Sequence, residues 1–116
     1  MKFQHDTLAA GRWFELSLVE QLGNIGSEVS RARNARGDEK RFWAAVFRAL
    51  ELFYLTIGDP RWCKRLKELT RTRELFCHAV YGNTEYGTTL EDLDRYFTYF
   101  AIAAQMEKRK LSKSIE

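Results

Sequence analysis

The chain has 116 residues, 45% of them hydrophobic and 14% aromatic, enough for a single core and too apolar for a disordered chain. One proline and no regular apolar–polar alternation point to helices rather than sheet. A formal charge of +3 with a pI near 9.0 is only mildly basic, so the placement of the charges matters more than their sum.

The first residues, Met1-Lys2-Phe3-Gln4-His5-Asp6, lack the apolar segment of a signal peptide, and no apolar run is long enough to span a bilayer. The expectation is one cytoplasmic domain over residues 1–116 with no membrane partner, ending in a basic, frayed tail over about 108–116.

The first helix is predicted to start between Thr7 and Arg12, capped by Asp6 or Thr7, with Gly11 a break before Trp13 and Phe14. It runs to about Asn34. Leu18, Leu22, Ile25, Val29 and Ala32 alternate steps of four and three and form one apolar seam. Gly23, Gly26, Ser27 and Ser30 sit within that seam. Glycine inside a helix costs about 1 kcal/mol relative to alanine. Close approach of another backbone, from this chain or a second copy, is the expected reason.

Asn34-Ala35-Arg36-Gly37-Asp38 reads as a short connection, with Asp38 capping helix two. That helix carries two apolar stripes: Phe42, Val46, Ala49 and Phe53, and beside it Trp43, Phe47, Leu50 and Tyr54. So broad a face predicts a helix touching two partners, with Lys40, Arg41, Arg48 and Glu51 left to solvent.

Gly58-Asp59-Pro60 ends helix two and starts helix three, with Asp59 as cap and Pro60 at the first helical position. Trp62, Leu66, Leu69, Arg73, Phe76 and Val80 then share a seam, and Arg73 needs a carboxylate there, from Glu20, Glu28 or Glu51, or a place at the seam edge. Cys63 and Cys77 on this helix are separated by roughly 21 Å, too far for a disulfide, and read as reduced, buried thiols. No Cys/His grouping has metal-ligand spacing, and neither a metal nor a cofactor is expected.

Gly82-Asn83 closes helix three, and Thr84-Glu85-Tyr86-Gly87 forms a polar loop. Thr88 and Glu91 match a capping box for helix four, which carries Leu90, Leu93, Phe97, Phe100, Ala101 and Ala104 and ends near Lys108-Arg109-Lys110. Four helices with short links predict an all-α, up-down-up-down antiparallel four-helix bundle.

That topology gathers Arg31, Arg33, Arg36, Lys40 and Arg41 at one pole. It gathers Arg61, Lys64, Arg65 and Lys67 with Lys108, Arg109 and Lys110 at the other. These basic poles are candidates for neutralising the phosphates of RNA or DNA; a cationic surface serving solubility alone is the competing account. The one catalytic candidate is Arg73-Glu74-Leu75-Phe76-Cys77-His78. It resembles the Arg-x4-His signature of HEPN ribonucleases, in which His and Arg from two subunits meet at the scissile phosphate. Glu74 stands where that family has a polar neutral residue, and Tyr81 follows His78 by three positions rather than two.

Between Glu20 and Leu52 the chain resembles the four-helix-bundle proteins encoded in intervening sequences of large-subunit ribosomal RNA genes. Those are relatives of the accessory variability proteins of diversity-generating retroelements. The resemblance is carried by Asn24-Ile25-Gly26-Ser27-Glu28, by the basic connection, and by the Ala-, Leu- and aromatic-rich run from Phe42 to Leu52. Gln21-Leu22-Gly23 replaces the family's proline, and one extra residue separates Ile25 from Glu28. The resemblance implies a homo-oligomer, typically a pentamer. It also implies a non-catalytic role in binding nucleic acid and a reverse transcriptase. A bundle serving protein partners alone is the third reading.

Overall fold

Ser17 decides where the first long helix begins. Its extended backbone (φ −70°, ψ 165°) interrupts the predicted first helix just before the seam, its hydroxyl accepts the Glu20 N–H, and the Glu20 carboxylate accepts the Ser17 N–H. This reciprocal capping satisfies two otherwise orphaned donors. The computed structural model of the chain describes residues 11–82 and 88–115, the last four as backbone only. Its α-helices are α1 (Leu18–Asn34), α2 (Glu39–Ile57), α3 (Leu66–Val80) and α4 (Leu90–Ile115), with 3-10 helices at Arg12–Glu15 and Pro60–Arg65. The chain is therefore all-α, with no strand among the described residues. No helix among them is long and apolar enough to cross a membrane.

Several predicted boundaries move. Helix one starts at Leu18, and Trp13 and Phe14 belong to a separate 3-10 turn; the expected caps Asp6 and Thr7 lie outside the described residues. Asp38 caps α2 as expected, accepting the Arg41 N–H at 3.3 Å, after a turn in which Gly37 takes φ +97°. Asp59 likewise caps the next element, but Pro60–Arg65 is 3-10, with a kink at Trp62 (φ −105°, ψ 20°), and α-helix resumes only at Leu66. Cys63 and Cys77 thus lie on different elements. Both are free thiols, Cys63 exposed and Cys77 half-buried, so neither is buried filler.

Gly82 follows α3 with φ +74°; Asn83 and the loop Thr84–Gly87 fall outside the described residues. The capping box of α4 is one residue later than predicted. Thr89 and Asp92 exchange hydrogen bonds of 3.1 and 3.2 Å, which leaves Glu91 for other partners. No glycine or proline follows Lys108–Lys110, and α4 continues past those cations to Ile115.

The seam of α1 is the centre of the core. Leu22, Ile25, Val29 and Ala32 are all buried, packed with Val46, Ala49 and Phe53 of α2 and with Leu90, Leu93 and Phe97 of α4. Phe53 meets Phe76 of α3 at 5.8 Å and Phe97 of α4 at 6.1 Å, edge-on to the latter, so one ring joins three helices. Matched pairs fix the sense of α4 against α1. The C-terminal Arg33 and Arg36 reach the first turns of α4, while Glu20 lies 4.0 Å from Lys108 near its far end.

Two packing expectations change. On α2 the first stripe supplies the buried Val46, Ala49 and Phe53; of the second, Trp43 and Leu50 are half-buried against the core while Phe47 and Tyr54 are exposed, and Glu51, expected on the solvent side, is buried. On α3 the buried positions are Leu69, Thr72 and Phe76. Arg73 turns outward to the solvent-exposed side, outside the seam expected for it.

The small residues of α1 are explained within the chain. A β-carbon on Gly26 would lie 2.5 Å from Phe97 Cβ, and one on Gly23 would lie 3.3 Å from the Ala101 Cα. Gly26→Ala should destabilise the fold by about 1–2 kcal/mol, because overpacking exceeds the gain of about 1 kcal/mol in helix propensity. Gly23→Ala should change stability by no more than about 0.5 kcal/mol, the two effects nearly cancelling. Urea midpoints at constant m-value check both, and a stabilised Gly26→Ala variant would refute the close-approach account.

Candidate nucleic-acid interface

The basic residues expected at the two poles divide by what they already hold. At the first pole, Arg33 donates to Asp94 at 2.7 Å and lies 3.9 Å from Glu91; Arg36 donates to Glu91 at 2.5 Å. These arginines bridge the C-terminal end of α1 to the first turns of α4. The Glu91 carboxyl is held below its ordinary pKa, first by its own backbone N–H and then by Arg36 and Arg33. Lys40 and Arg41, in the first turn of α2, are exposed and make no ion pair among the described residues.

Arg31 is different. It shares the Glu28 carboxylate with Arg48 of α2: Arg31 donates to one oxygen at 2.5 Å and Arg48 Nε to the other at 2.9 Å. The Glu28 side chain is only 6% exposed, so the carboxylate is a buried anchor with a guanidinium on each side. Beside it, Arg31, Asn34, Arg41 and Arg48 line a groove between the end of α1 and the start of α2, with Ala35 and Ala44 as its apolar walls. Three guanidiniums meet there against one carboxylate. Each guanidinium has five N–H donors, and Arg31 and Arg48 each commit only one to Glu28.

Arg48, Glu28 and Asn34 were not among the expected interface residues. The spacing on α2 predicts Arg48 on the solvent face, and its partner lies 20 positions away in the chain. The seven-residue step from Arg41 to Arg48 is the one signal available beforehand, since it puts both on one side of α2.

At the second pole, Arg61 is occupied. It donates to both Asp59 oxygens, the shortest bond being 2.7 Å, and to the Leu16 carbonyl at 2.7 Å, and its guanidinium lies 4.5 Å from the Trp62 ring centroid. Asp59 also accepts from Gln21 Nε2 at 3.1 Å, and Gln21 in turn donates to the Trp13 carbonyl at 3.0 Å and accepts from Trp62 Nε1 at 2.9 Å. Gln21, fully buried, thereby has three of its four hydrogen-bonding positions filled. This cluster is a structural joint that commits Arg61 to partners within the chain.

Lys64, Arg65, Lys67, Glu68 and Arg71 line a shallow outer groove, in which Arg65 pairs with Glu68 at 3.0 Å. Lys108 is 4.0 Å from Glu20, while Arg109 and Lys110 are exposed on α4.

His78 Nε2 lies 3.7 Å from Glu74 on the same face of α3, whereas Arg73, five positions before His78, is turned about 140° around the helix. Within one chain the two do not converge. Among the described residues no group of three or more His, Cys, Asp or Glu could hold a metal ion.

No family model, curated protein or solved structure matches this chain. The groove and its charges are therefore the basis for the functional reading.

The Asp59 carboxyl is held below its usual range, chiefly by the Arg61 side chain. A lowered folded-state pKa contributes stability that is fully present above the unfolded value of about 3.9 and is lost as pH falls through the folded value. Asp59→Asn should cost about 1–2 kcal/mol at pH 7, toward the lower end for hydrogen bonds to charged groups because Arg61 is partly solvated. The gap between wild type and variant should narrow below about pH 4. Denaturation at pH 7 and pH 3 checks this, and a constant gap would refute it.

Proposed function

We propose that the chain is a non-enzymatic nucleic-acid-binding protein that engages backbone phosphates through the α1–α2 arginine groove. The observation that carries this reading is the buried Glu28 carboxylate, which holds Arg31 and Arg48 in place while most of their donors remain uncommitted beside Arg41. Arginine forks match phosphate oxygens in pairs, and neutralising phosphates is the main sequence-independent source of affinity. The reading is non-enzymatic: Arg73 and His78 do not converge within one chain, and the groove offers guanidiniums, which bind phosphate but cannot accept a proton.

The fold that fits this reading is an up-down-up-down antiparallel four-helix bundle. The resemblance over Glu20–Leu52 extends it to an accessory subunit of a reverse transcriptase in a diversity-generating retroelement, assembled as a homo-oligomer with five copies favoured. Tyr99, Ile102 and Met106 support self-assembly, since they expose a second apolar stripe on α4 at helical spacing. Light scattering should give a multiple of the 13.6 kDa chain; a monomer would remove the oligomeric part of the reading.

The Arg41→Gln/Arg48→Gln double variant should bind nucleic acid at least about tenfold more weakly near 0.1 M salt. Its slope of log affinity against log salt should fall by about 1.5–2. Fluorescence anisotropy against a labelled oligonucleotide reads both quantities. Unchanged affinity and slope would remove the groove from the account.

A further inference from the structure

The outward face of α2 has two edges. Arg41 and Arg48 occupy one, seven positions apart, and Ala44 lies between the edges. Lys40, Trp43 and Phe47 occupy the other, at steps of three and four. The second edge is aromatic and accessible. Phe47 is 50% exposed and its ring lies 6.0 Å from Trp43; Tyr81, from the end of α3, is 62% exposed and 5.7 Å from Trp43. The ring planes are inclined by 33° and 36°, so Phe47, Trp43 and Tyr81 form a tilted ladder rather than an edge-on cluster.

Three adjacent aromatic rings on an accessible edge form a contiguous apolar patch of the kind that marks a contact surface. The neighbouring edge indicates its charge, because the groove beside Ala44 carries three guanidiniums against one carboxylate. An occupant that is anionic along one side and flat and aromatic along the other is an unpaired polynucleotide strand. We infer that the protein binds single-stranded nucleic acid across α2, with phosphates in the Arg31–Arg41–Arg48 groove and bases stacked on Phe47, Trp43 and Tyr81.

This rests on the nucleic-acid reading above and adds the form of the ligand. The helix with its side chains is about 10–12 Å wide, a width that a few nucleotides cover. Duplex bases are already stacked and cannot use the ladder, whereas every unpaired base has a face that can. Lys40, exposed on the aromatic edge, adds a cation next to the stacked bases.

The test uses the full chain and a fluorescein-labelled mixed-sequence 12-mer, single-stranded and as its duplex, in DNA and in RNA. The single strand should bind at least about tenfold more tightly, and Phe47→Ala and Tyr81→Ala should each weaken single-strand binding by about 5- to 30-fold while leaving duplex binding unchanged. Arg41→Gln/Arg48→Gln should weaken both forms, which separates the groove from the ladder. The single strand should also quench tryptophan fluorescence in the wild type and much less in Trp43→Phe, a readout independent of whether the alanine variants fold.

Equal affinity for strand and duplex, with Phe47→Ala and Tyr81→Ala unchanged, overturns the inference and leaves the phosphate groove standing. Binding of neither form overturns both. A fall in the protein's own assembled mass in Phe47→Ala, with strand binding intact, assigns the ladder to a protein contact and likewise overturns the inference.

Discussion

The approach of α1 to α4 at Gly26 is the contact on which the rest of the molecule depends. With no β-carbon at Gly26, the β-carbon of Phe97 takes that space, and Gly23 one turn earlier admits the backbone at Ala101. Phe97 is then deep enough to meet Phe53, which in turn meets Phe76, so α2 and α3 are packed through a ring that the glycines let in. Burying a side chain of this size contributes about 1.5–3 kcal/mol. Exposed ion pairs contribute roughly 0–1 kcal/mol. The Arg33–Asp94 and Arg36–Glu91 bridges therefore follow from the close approach and do not cause it.

That geometry also sorts the charges. At the α1–α4 seam, Arg33 and Arg36 face carboxylates on the opposing helix and are locally balanced. At the α1–α2 seam, one carboxylate is divided between Arg31 and Arg48, and Arg41 has no ion pair among the described residues. Part of the excess positive charge of a mildly basic chain thus lies in the groove on α2, and part in the outer groove of Lys64, Arg65, Lys67 and Arg71. At the other end of α1, Gln21, Asp59, Arg61 and Trp62 use their polar groups on one another, which fixes the 3-10 segment and ties Arg61, still partly exposed, to Asp59.

Much of this was legible from residue spacing. The α1 seam, the Asp38 and Asp59 caps and the small-residue cluster at Gly23 and Gly26 all depend on local periodicity or turn chemistry, which a sequence carries directly. The failures share a cause. Thr88 and Thr89 fit the same cap pattern one residue apart, and Ser17, inside the predicted first helix, starts a new one with its own capping box. Arg73 and Thr72 are adjacent, and a three-or-four step admits either to the seam; burial chose the smaller, less polar one. Gln21 looked like a lost proline and is instead a buried polar joint, because its partners lie 8, 38 and 41 positions away. The cationic groove was half visible: Arg31 and Arg41 were expected at it, but the Glu28–Arg48 contact that shapes it is non-local.

The Glu28 cluster bears on function because stability alone does not account for it. Desolvating a carboxylate and two guanidiniums costs energy that their mutual attraction only partly offsets, and apolar replacements of buried ion pairs are often neutral or stabilising. A single arginine would suffice to satisfy Glu28 in the fold. Two are present, a third lines the same groove, and Asn34 adds a further donor at its rim. What the cluster gains is order: arginine side chains lose about 2 kcal/mol of rotamer freedom when fixed, and here Glu28 imposes that loss during folding rather than on ligand capture. A groove whose donors are already oriented binds a phosphate with less of its interaction spent on ordering. Adjacent to it, Phe47 and Tyr81 are left facing water around a half-buried Trp43. An oriented cationic edge and an accessible aromatic edge on one helix are complementary to the two sides of a polynucleotide strand, and neither is required by the core that Gly26 organises.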